Sequence, residues 1–204
     1  MELSDTETAV IRAQEEEDKY KDIYGGEVRA GNEILYFKRT ALYQNQFSVM
    51  LPKSFVDMPK ALTKLKYPSE SRPGVIKTND DTTVNFAFAY YNQDFAENQI
   101  ESAAKGLKTG LARLSPGARF FDTKFLKTEE GIKFSCFDFL TTGLDTELYQ
   151  LFAFIPVHQK FLHVIFNVPS KAMRSWQPVA MQVLQSIRNE NGIESEAGKD
   201  EHNE

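Results

Sequence analysis

The sequence predicts an α+β fold in which one antiparallel sheet is covered by helices. Two blocks of the chain support this prediction, because each contains four strand-like runs and ends in one amphipathic helix. The turns between successive runs are too short for the crossovers that parallel strands require. With 204 residues, 41% of them hydrophobic, the chain can bury one sizeable core, so we expect a single domain.

The first block predicts two pairs of strands. Residues 34–40 and 47–51 are separated by a polar break that is long enough for a hairpin loop. Residues 75–78 and 84–91 flank Asn79-Asp80-Asp81, a typical turn sequence. Between the two pairs, four prolines argue against a long helix or a central strand, and only residues 60–66 predict a short helix.

A helix is predicted over residues 94–114. Asp94 is a suitable N-cap residue, and Glu97 three positions later completes a pattern resembling a capping box. Apolar residues then recur at helical spacing from Ile100 to Leu114. Ser115-Pro116-Gly117 predicts the end of the helix.

The second block is marked by phenylalanines, which suit a pleated, half-buried surface. They fall in four successive runs: Phe120, Phe121 and Phe125; Phe134, Phe137 and Phe139; Phe152 and Phe154; Phe161 and Phe166. A second helix, residues 172–188, is predicted after Pro169-Ser170. Trp176 lies on its apolar stripe, which favours a place in the core over a role as an exposed anchor for a partner.

The charge distribution predicts the domain organisation. Residues 1–22 contain eight acids and three bases, and residues 189–204 contain six acids and one base, so each end has a net charge of -5. Residues 23–188 contain 20 bases and 15 acids, a net charge of +5. We therefore expect an acidic arm or marginal helix over 1–22, a single domain over 23–188, and an acidic disordered tail over 189–204.

Hydrophobic landmarks near both ends of the predicted domain resemble those of the PsbP-like superfamily, which includes DcrB-like proteins and the small Ran-binding nucleotide-release factor. The landmarks are Phe47-Ser48-Val49-Met50-Leu51-Pro52, Ile165-Phe166-Asn167-Val168-Pro169, Trp176 and Ser186-Ile187-Arg188. The resemblance covers residues 33–188 and implies an α/β/α sandwich with a central antiparallel sheet. It also implies a non-catalytic binder, assembly factor or chaperone. No binding residue is carried over from it.

The chain lacks the local signatures of common catalytic nucleophiles, phosphate loops and zinc sites, so we expect no enzyme, cofactor or metal site. Cys136, Asp138 and His163 form the one triad that can be assembled, and a packed thiol with a hydrogen-bonded histidine is the favoured interpretation. Asp80 and Asp81 are expected to form a turn and not to bind calcium. A single cysteine, no export signal and no apolar run of membrane-spanning length lead us to expect a cytoplasmic protein.

Residues 53–77 are the candidate partner-binding segment, because apolar side chains are interleaved with basic ones there on an irregular, proline-rich connection. The candidate residues are Lys53, Phe55, Lys60, Lys64, Lys66, Tyr67, Arg72 and Lys77. A solvated basic loop is the alternative interpretation.

We expect a non-catalytic protein-binding module, such as an adaptor, assembly factor or chaperone, with a protein partner of unknown identity. The alternative is a binder of an anionic ligand or lipid headgroup. Nucleic acid is disfavoured because the whole chain is acidic and lacks an aromatic RNA-binding motif. A homodimer is left open.

Overall fold

The computed structural model describes residues 22–31, 33–142 and 146–191, and it contains twelve strands and three α-helices within them. The strands are β1 (Glu27–Ala30), β2 (Glu33–Leu42), β3 (Phe47–Pro52), β4 (Val56–Asp57), β5 (Val75–Thr78), β6 (Asn85–Asp94), β7 (Arg119–Phe120), β8 (Lys124–Lys127), β9 (Lys133–Thr142), β10 (Glu147–Val157), β11 (Lys160–Pro169) and β12 (Arg188–Asn189). The helices are α1 (Lys60–Lys66), α2 (Ile100–Leu114) and α3 (Met173–Gln185). Single 3-10 turns, Glu97–Gln99 and Ser170–Ala172, precede α2 and α3.

The strands form two antiparallel sheets. The larger has the order β4-β5-β6-β11-β10-β9-β7, with β8 also paired to β9, and the smaller has the order β1-β2-β3-β12. The predicted α+β class with a central antiparallel sheet and flanking helices is confirmed, but the expectation of one sheet is wrong. Side chains from both sheets meet in the same core, as where the rings of Phe47 and Phe88 lie 6.0 Å apart. The alternation of buried and exposed residues along a strand shows which of its faces lies in the core, but not to which sheet the strand belongs. The sequence pattern is therefore the same for two packed sheets as for one.

The large sheet buries both of its faces. One face packs against the small sheet and α3, and Trp176 of α3 is only 2% exposed there, which confirms its predicted place in the core. The opposite face packs against α2 through a second cluster that includes Ile100, Ala104, Phe137 and Phe154. The result is a layered sandwich with a central antiparallel sheet, as the family resemblance implies.

The start of α2 differs from the prediction. Asp94 is the last residue of β6, and its carboxylate lies 2.7 Å from Lys160 Nζ on the neighbouring strand β11. Asp94 does not cap the helix, because the helical segment begins only at Glu97 and its N-cap position is Ala96. Instead, Gln99 Oε1 accepts the backbone N–H of Ala96 at 2.8 Å, at the turn that leads into Ile100.

The ends of the described chain are attached to the core. Ile23 is 2% exposed. Arg188 and Asn189 pair with β3, and the backbone N–H of Glu190 donates to Gln46 O at 3.1 Å. The structure thus places 189–191 against the domain, three residues past the predicted boundary, because backbone pairing holds a segment that offers almost no apolar surface. The rest of the predicted tail and residues 1–21 of the predicted arm lie outside the described residues.

Candidate functional site: a basic groove at the edge of the large sheet

The first half of the candidate segment builds one edge of the large sheet. Val56 and Asp57 pair with Thr78 and Lys77 of β5, and the N–H of Met58 donates to Ile76 O at 2.9 Å, which extends this pairing. Helix α1 follows directly after Pro59, whose fixed φ suits the start of a helix. The edge strand and the short helix therefore stand side by side.

A groove of about 430 Å³ lies where α1, β4 and β5 meet, and we call it the basic groove. Its lining consists of Asp57, Met58, Lys60, Thr63, Lys64, Arg72, Pro73, Gly74, Val75 and Ile76. Met58, Pro73 and Ile76 are buried and give the groove an apolar floor, whereas Lys60 and Lys64 are exposed along the α1 side.

The side chains that line the basic groove carry a net positive charge. Asp57 is already neutralised by Lys77, whose Nζ lies 2.8 Å from Asp57 Oδ1. Lys60 and Lys64 have no ion pair or side-chain hydrogen bond with any described residue. Arg72 donates from Nε to the backbone oxygen of Ser69 at 2.8 Å, and among the described residues it contacts no carboxylate. Three cationic groups thus remain available to an anionic partner.

The other predicted residues do not line the basic groove. Phe55 is 7% exposed and packs against Phe86 and Trp176, so this residue belongs to the core and is not available to a partner. Lys66 donates to the backbone and hydroxyl oxygens of Thr82, and partial burial lowers the pKa of its ammonium group.

Tyr67 and Lys53 also point elsewhere. The Tyr67 hydroxyl accepts a 2.8 Å hydrogen bond from Asn167 Nδ2, and its ring packs on the cluster of Met58, Ile76 and Ala87. Lys53 is exposed next to the small sheet, where its N–H donates to Tyr36 O at 2.7 Å. Of the eight predicted residues, the structure brings Lys60, Lys64 and Arg72 together at the groove and leaves Lys77 at its margin.

The predicted site residues do not include the other seven residues of the lining, which are Asp57, Met58, Thr63, Pro73, Gly74, Val75 and Ile76. Val75 lies on β5, which the sequence predicts correctly, but the outer neighbour of β5 is the two-residue β4. A run as short as Val56-Asp57 has no periodicity of its own, so no sequence signal marks this edge of the groove.

The residues of the only assembled triad lie on opposite faces of the large sheet. Cys136 and Asp138 face α3, and burial raises the pKa of the Cys136 thiol to about 12. His163 lies on the α2 face, with its ring 5.0 Å from that of Phe152 and 5.3 Å from that of Phe154. This arrangement cannot form a cysteine–histidine pair.

The remaining candidate ligand groups are also explained by local structure. Asp81 Oδ1 accepts hydrogen bonds from the backbone N–H and the hydroxyl of Thr83, which lower the pKa of the carboxyl group and stabilise the turn. Among the described residues, no three His, Cys, Asp or Glu side chains are grouped as a metal site. No described helix is both long and apolar enough to cross a bilayer.

Comparison with solved structures identifies the fold. The cyanobacterial PsbP (CyanoP) from Synechocystis sp. PCC 6803 matches 79% of this chain and 96% of its own, with a TM-score of 0.56 and 10% identity. The protein PA94 of Pseudomonas aeruginosa, of unknown function, matches 76% of this chain and 98% of its own, with a TM-score of 0.45 and 11% identity. No family model and no curated protein sequence matches the chain. The chain therefore has a PsbP-like fold, as the sequence landmarks imply.

Proposed function

We propose that this protein is a non-catalytic protein-binding module, and that its basic groove receives an acidic, partly apolar segment of a partner protein. The observation that carries the proposal is the grouping of Lys60, Lys64 and Arg72 around an apolar floor at a sheet edge. The PsbP-like fold is compatible with this proposal, because a fold serves as a scaffold and its role depends on the surface that it presents.

The charges of the basic groove favour a carboxylate-bearing partner. Exposed ion pairs contribute only about 0–1 kcal/mol each and are screened by salt. They therefore orient and accelerate association more than they hold the complex together. Met58, Pro73 and Ile76 shape the floor of the groove, but they are already buried in the fold and contribute little further apolar burial to a complex.

The edge strand adds a second element of recognition. Val56 is 53% exposed on β4, and Leu65 is 75% exposed on α1. Neither side chain lines the groove, but both belong to the elements that form it and offer exposed apolar surface there. An acidic segment that carries one or two apolar residues would match this combination of charge and exposed aliphatic surface.

The test is a pull-down from the native cell with three matched proteins. The first is the unaltered chain, and the second carries Lys60→Glu, Lys64→Glu and Arg72→Glu. The third carries Lys105→Glu, Arg113→Glu and Lys171→Glu, which change the net charge equally at exposed positions on α2 and before α3. Circular dichroism and melting curves verify that all three are folded.

We expect a protein to be recovered with the unaltered and control chains and reduced by about tenfold with the groove variant. Equal recovery by all three proteins would place the partner surface elsewhere. The same three proteins are also tested with inorganic phosphate and with vesicles containing phosphatidylserine. Groove-dependent binding to either, without a recovered protein, would favour the anionic-ligand or lipid-headgroup alternative.

A further inference from the structure

A cavity of about 610 Å³ lies where two hairpin turns meet, and we call it the turn cavity. One turn joins β2 to β3, the other joins β10 to β11, and β6 contributes two further residues. The lining consists of Tyr43, Gln44, Gln46, Tyr90, Asn92, His158 and Lys160. The volume falls in the range of about 300–1,000 Å³ that is common for small-molecule sites.

Hydrogen bonds between the two turns hold the walls of the turn cavity in place. His158 Nε2 lies 3.0 Å from Gln46 O and 2.7 Å from Glu190 O. Because both of these atoms are backbone carbonyl oxygens, which only accept, Nε2 carries the proton and donates. The Tyr43 hydroxyl donates to Phe88 O at 2.5 Å, which holds the Tyr43 ring against the large sheet. These contacts form the cavity without a ligand, so little ordering is needed when one binds.

Three side-chain amides in the lining are free of internal hydrogen bonds. Gln44 and Asn92 are exposed and Gln46 is half-buried, and none of the three side chains has a hydrogen-bond partner among the described residues. Each amide offers an acceptor oxygen and two N–H donors in one planar group. The turn cavity therefore suits a ligand whose own polar groups both donate and accept.

The turn between β2 and β3 carries side chains in a conformation that favours glycine. Tyr43, Gln44 and Asn45 have φ values of 50°, 54° and 65°. Local structure accounts for two of them, since Tyr43 donates to Phe88 O and Asn45 Nδ2 donates to Asn191 O at 3.1 Å. Gln44 has no such contact with a described residue, yet it lines the cavity. Residues held in strained conformations are concentrated at functional sites, including those that bind ligands.

Two tyrosine rings add apolar surface to the turn cavity. The ring centroids of Tyr43 and Tyr90 lie 5.6 Å apart with an angle of 60° between the planes, and both residues are half-buried. The face of an aromatic ring is partly negative, so it attracts the slightly positive C–H groups of a ligand. Aromatic rings beside free amides match a molecule that has both C–H faces and hydroxyl groups.

The charges at the turn cavity favour a neutral ligand. Among the described lining residues, Lys160 is the only lysine or arginine, and there is no carboxylate. Lys160 Nζ lies 2.7 Å from Asp94 Oδ1, so its charge is already balanced by an ion pair. The turn cavity differs in this respect from the basic groove, where three cationic groups are available.

We infer that the turn cavity is a carbohydrate-binding site for a neutral mono- or disaccharide. The amides of Gln44, Gln46 and Asn92 form hydrogen bonds with the sugar hydroxyls, and Tyr43 and Tyr90 pack against the C–H face of a sugar ring. The turn cavity and the basic groove have no lining residue in common, so the inference does not depend on the proposed function.

Binding to an array of neutral and charged oligosaccharides tests the inference with three full-length proteins. The first is unaltered, and the second carries Gln44→Ala and Asn92→Ala, which remove two of the free amides. Alanine retains a Cβ, so the backbone strain at position 44 is unchanged. The third carries Gln93→Ala and Asn98→Ala, which remove the same two types of side chain at exposed positions outside the cavity. Melting curves verify that all three are folded.

The neutral sugar with the strongest signal on the array is then titrated into each isotope-labelled protein and followed by NMR. We expect the side-chain amide signals of Gln44, Gln46 and Asn92 to shift in the unaltered protein. The dissociation constant should be at least about tenfold higher for the Gln44/Asn92 variant than for the unaltered and control proteins.

Equal affinity of all three proteins would overturn the inference, because the sugar would then bind elsewhere. The inference would also be overturned if no neutral sugar bound. Binding of sulfated or sialylated sugars alone would overturn it as well, since the protein would then recognise negative charge and not the hydroxyl groups and C–H faces of a sugar ring.

Discussion

The hydroxyl of Tyr149 donates a 2.8 Å hydrogen bond to Asp138 Oδ2 inside the core, where Asp138 is only 2% exposed. Gln177 Nε2 donates to the same oxygen at 2.7 Å, whereas Asp138 Oδ1 has no hydrogen-bond partner among the described residues. Burial, and then the charge of Asp138, raise the pKa of Tyr149. Strands β9 and β10 are thus tied to α3 through one buried carboxylate.

Tyr149→Phe should lower the free energy of unfolding by about 1–3 kcal/mol, because a buried charged acceptor loses one of its two donors. Asp138→Asn keeps an acceptor for Tyr149 and Gln177 and removes the buried charge, so its cost should be smaller. Urea denaturation of the two variants measures the difference. No loss of stability in Tyr149→Phe would show that this hydrogen bond contributes nothing to the core.

Trp176→Ala should lower the free energy of unfolding by about 3–5 kcal/mol through cavity formation. The Trp176 ring lies 6.0 Å from that of Phe55 and 6.1 Å from that of Phe166, so its removal exposes both neighbours. Trp176→Phe is the control and should cost less, since it preserves part of the ring volume. A loss below about 1 kcal/mol for the alanine variant in urea melts would contradict the tight packing of this site.

Stability should fall as the pH is lowered from about 6.5 to 4 because of His163. Its Nε2 is buried without a partner among the described residues, and burial lowers the pKa of its imidazole from 6.5 to about 4. Between these values the unfolded chain binds more protons than the folded one, so acid favours unfolding. The loss should reach roughly 3 kcal/mol at pH 4.

Urea melts of the unaltered chain and of His163→Phe across pH 4–7 check this prediction. The phenylalanine variant keeps a ring beside Phe152 and Phe154 but cannot be protonated. The difference in unfolding free energy between the two proteins should therefore change with pH in that window. Parallel pH profiles would assign the acid sensitivity to other groups.

Gln159→Gly should be more stable than Gln159→Ala by about 1 kcal/mol. His158 and Gln159 form the two-residue turn between β10 and β11, with φ values of 49° and 58° that favour glycine. Both substitutions remove the side-chain amide, but only glycine relieves the backbone strain. Thermal melts of the pair measure the difference, and equal midpoints would mean that the turn relaxes in the alanine variant.

Two C-terminal truncations should have different effects. Removal of 192–204 should leave the melting temperature nearly unchanged, because these residues lack apolar anchors. Removal of 189–204 should lower it by several degrees, because Glu190 accepts from Ser48 at 2.5 Å and His158 Nε2 lies 2.7 Å from Glu190 O. Equal melting temperatures for the two truncated proteins would contradict the anchoring role of 189–191.

The sequence predicts the elements that have strong hydrophobic periodicity or clear turn residues at their ends. Strand β5 has the predicted bounds, and the alternation from Val84 to Tyr91 indicates the register of β6. The apolar stripe of α3 predicts the burial of Trp176, since one face of a helix must pack on the sheet. These features depend on neighbouring residues, so local spacing is sufficient to identify them.

The tertiary structure decided the features that depend on distant residues. Asp94 resembles a helix cap in the sequence, but pairing with β11 extends β6 through it, and the helical segment begins later. The eight predicted site residues separate according to which element each side chain contacts. Lys60, Lys64 and Arg72 share a groove only because α1 lies beside the pairing of β4 with β5. The sequence by itself thus determined the order of the longer elements, the buried faces and the basic character of residues 53–77, but not the short strands β1, β4 and β12. Packing alone determined which of those charges meet, because that depends on chain segments brought together by the fold.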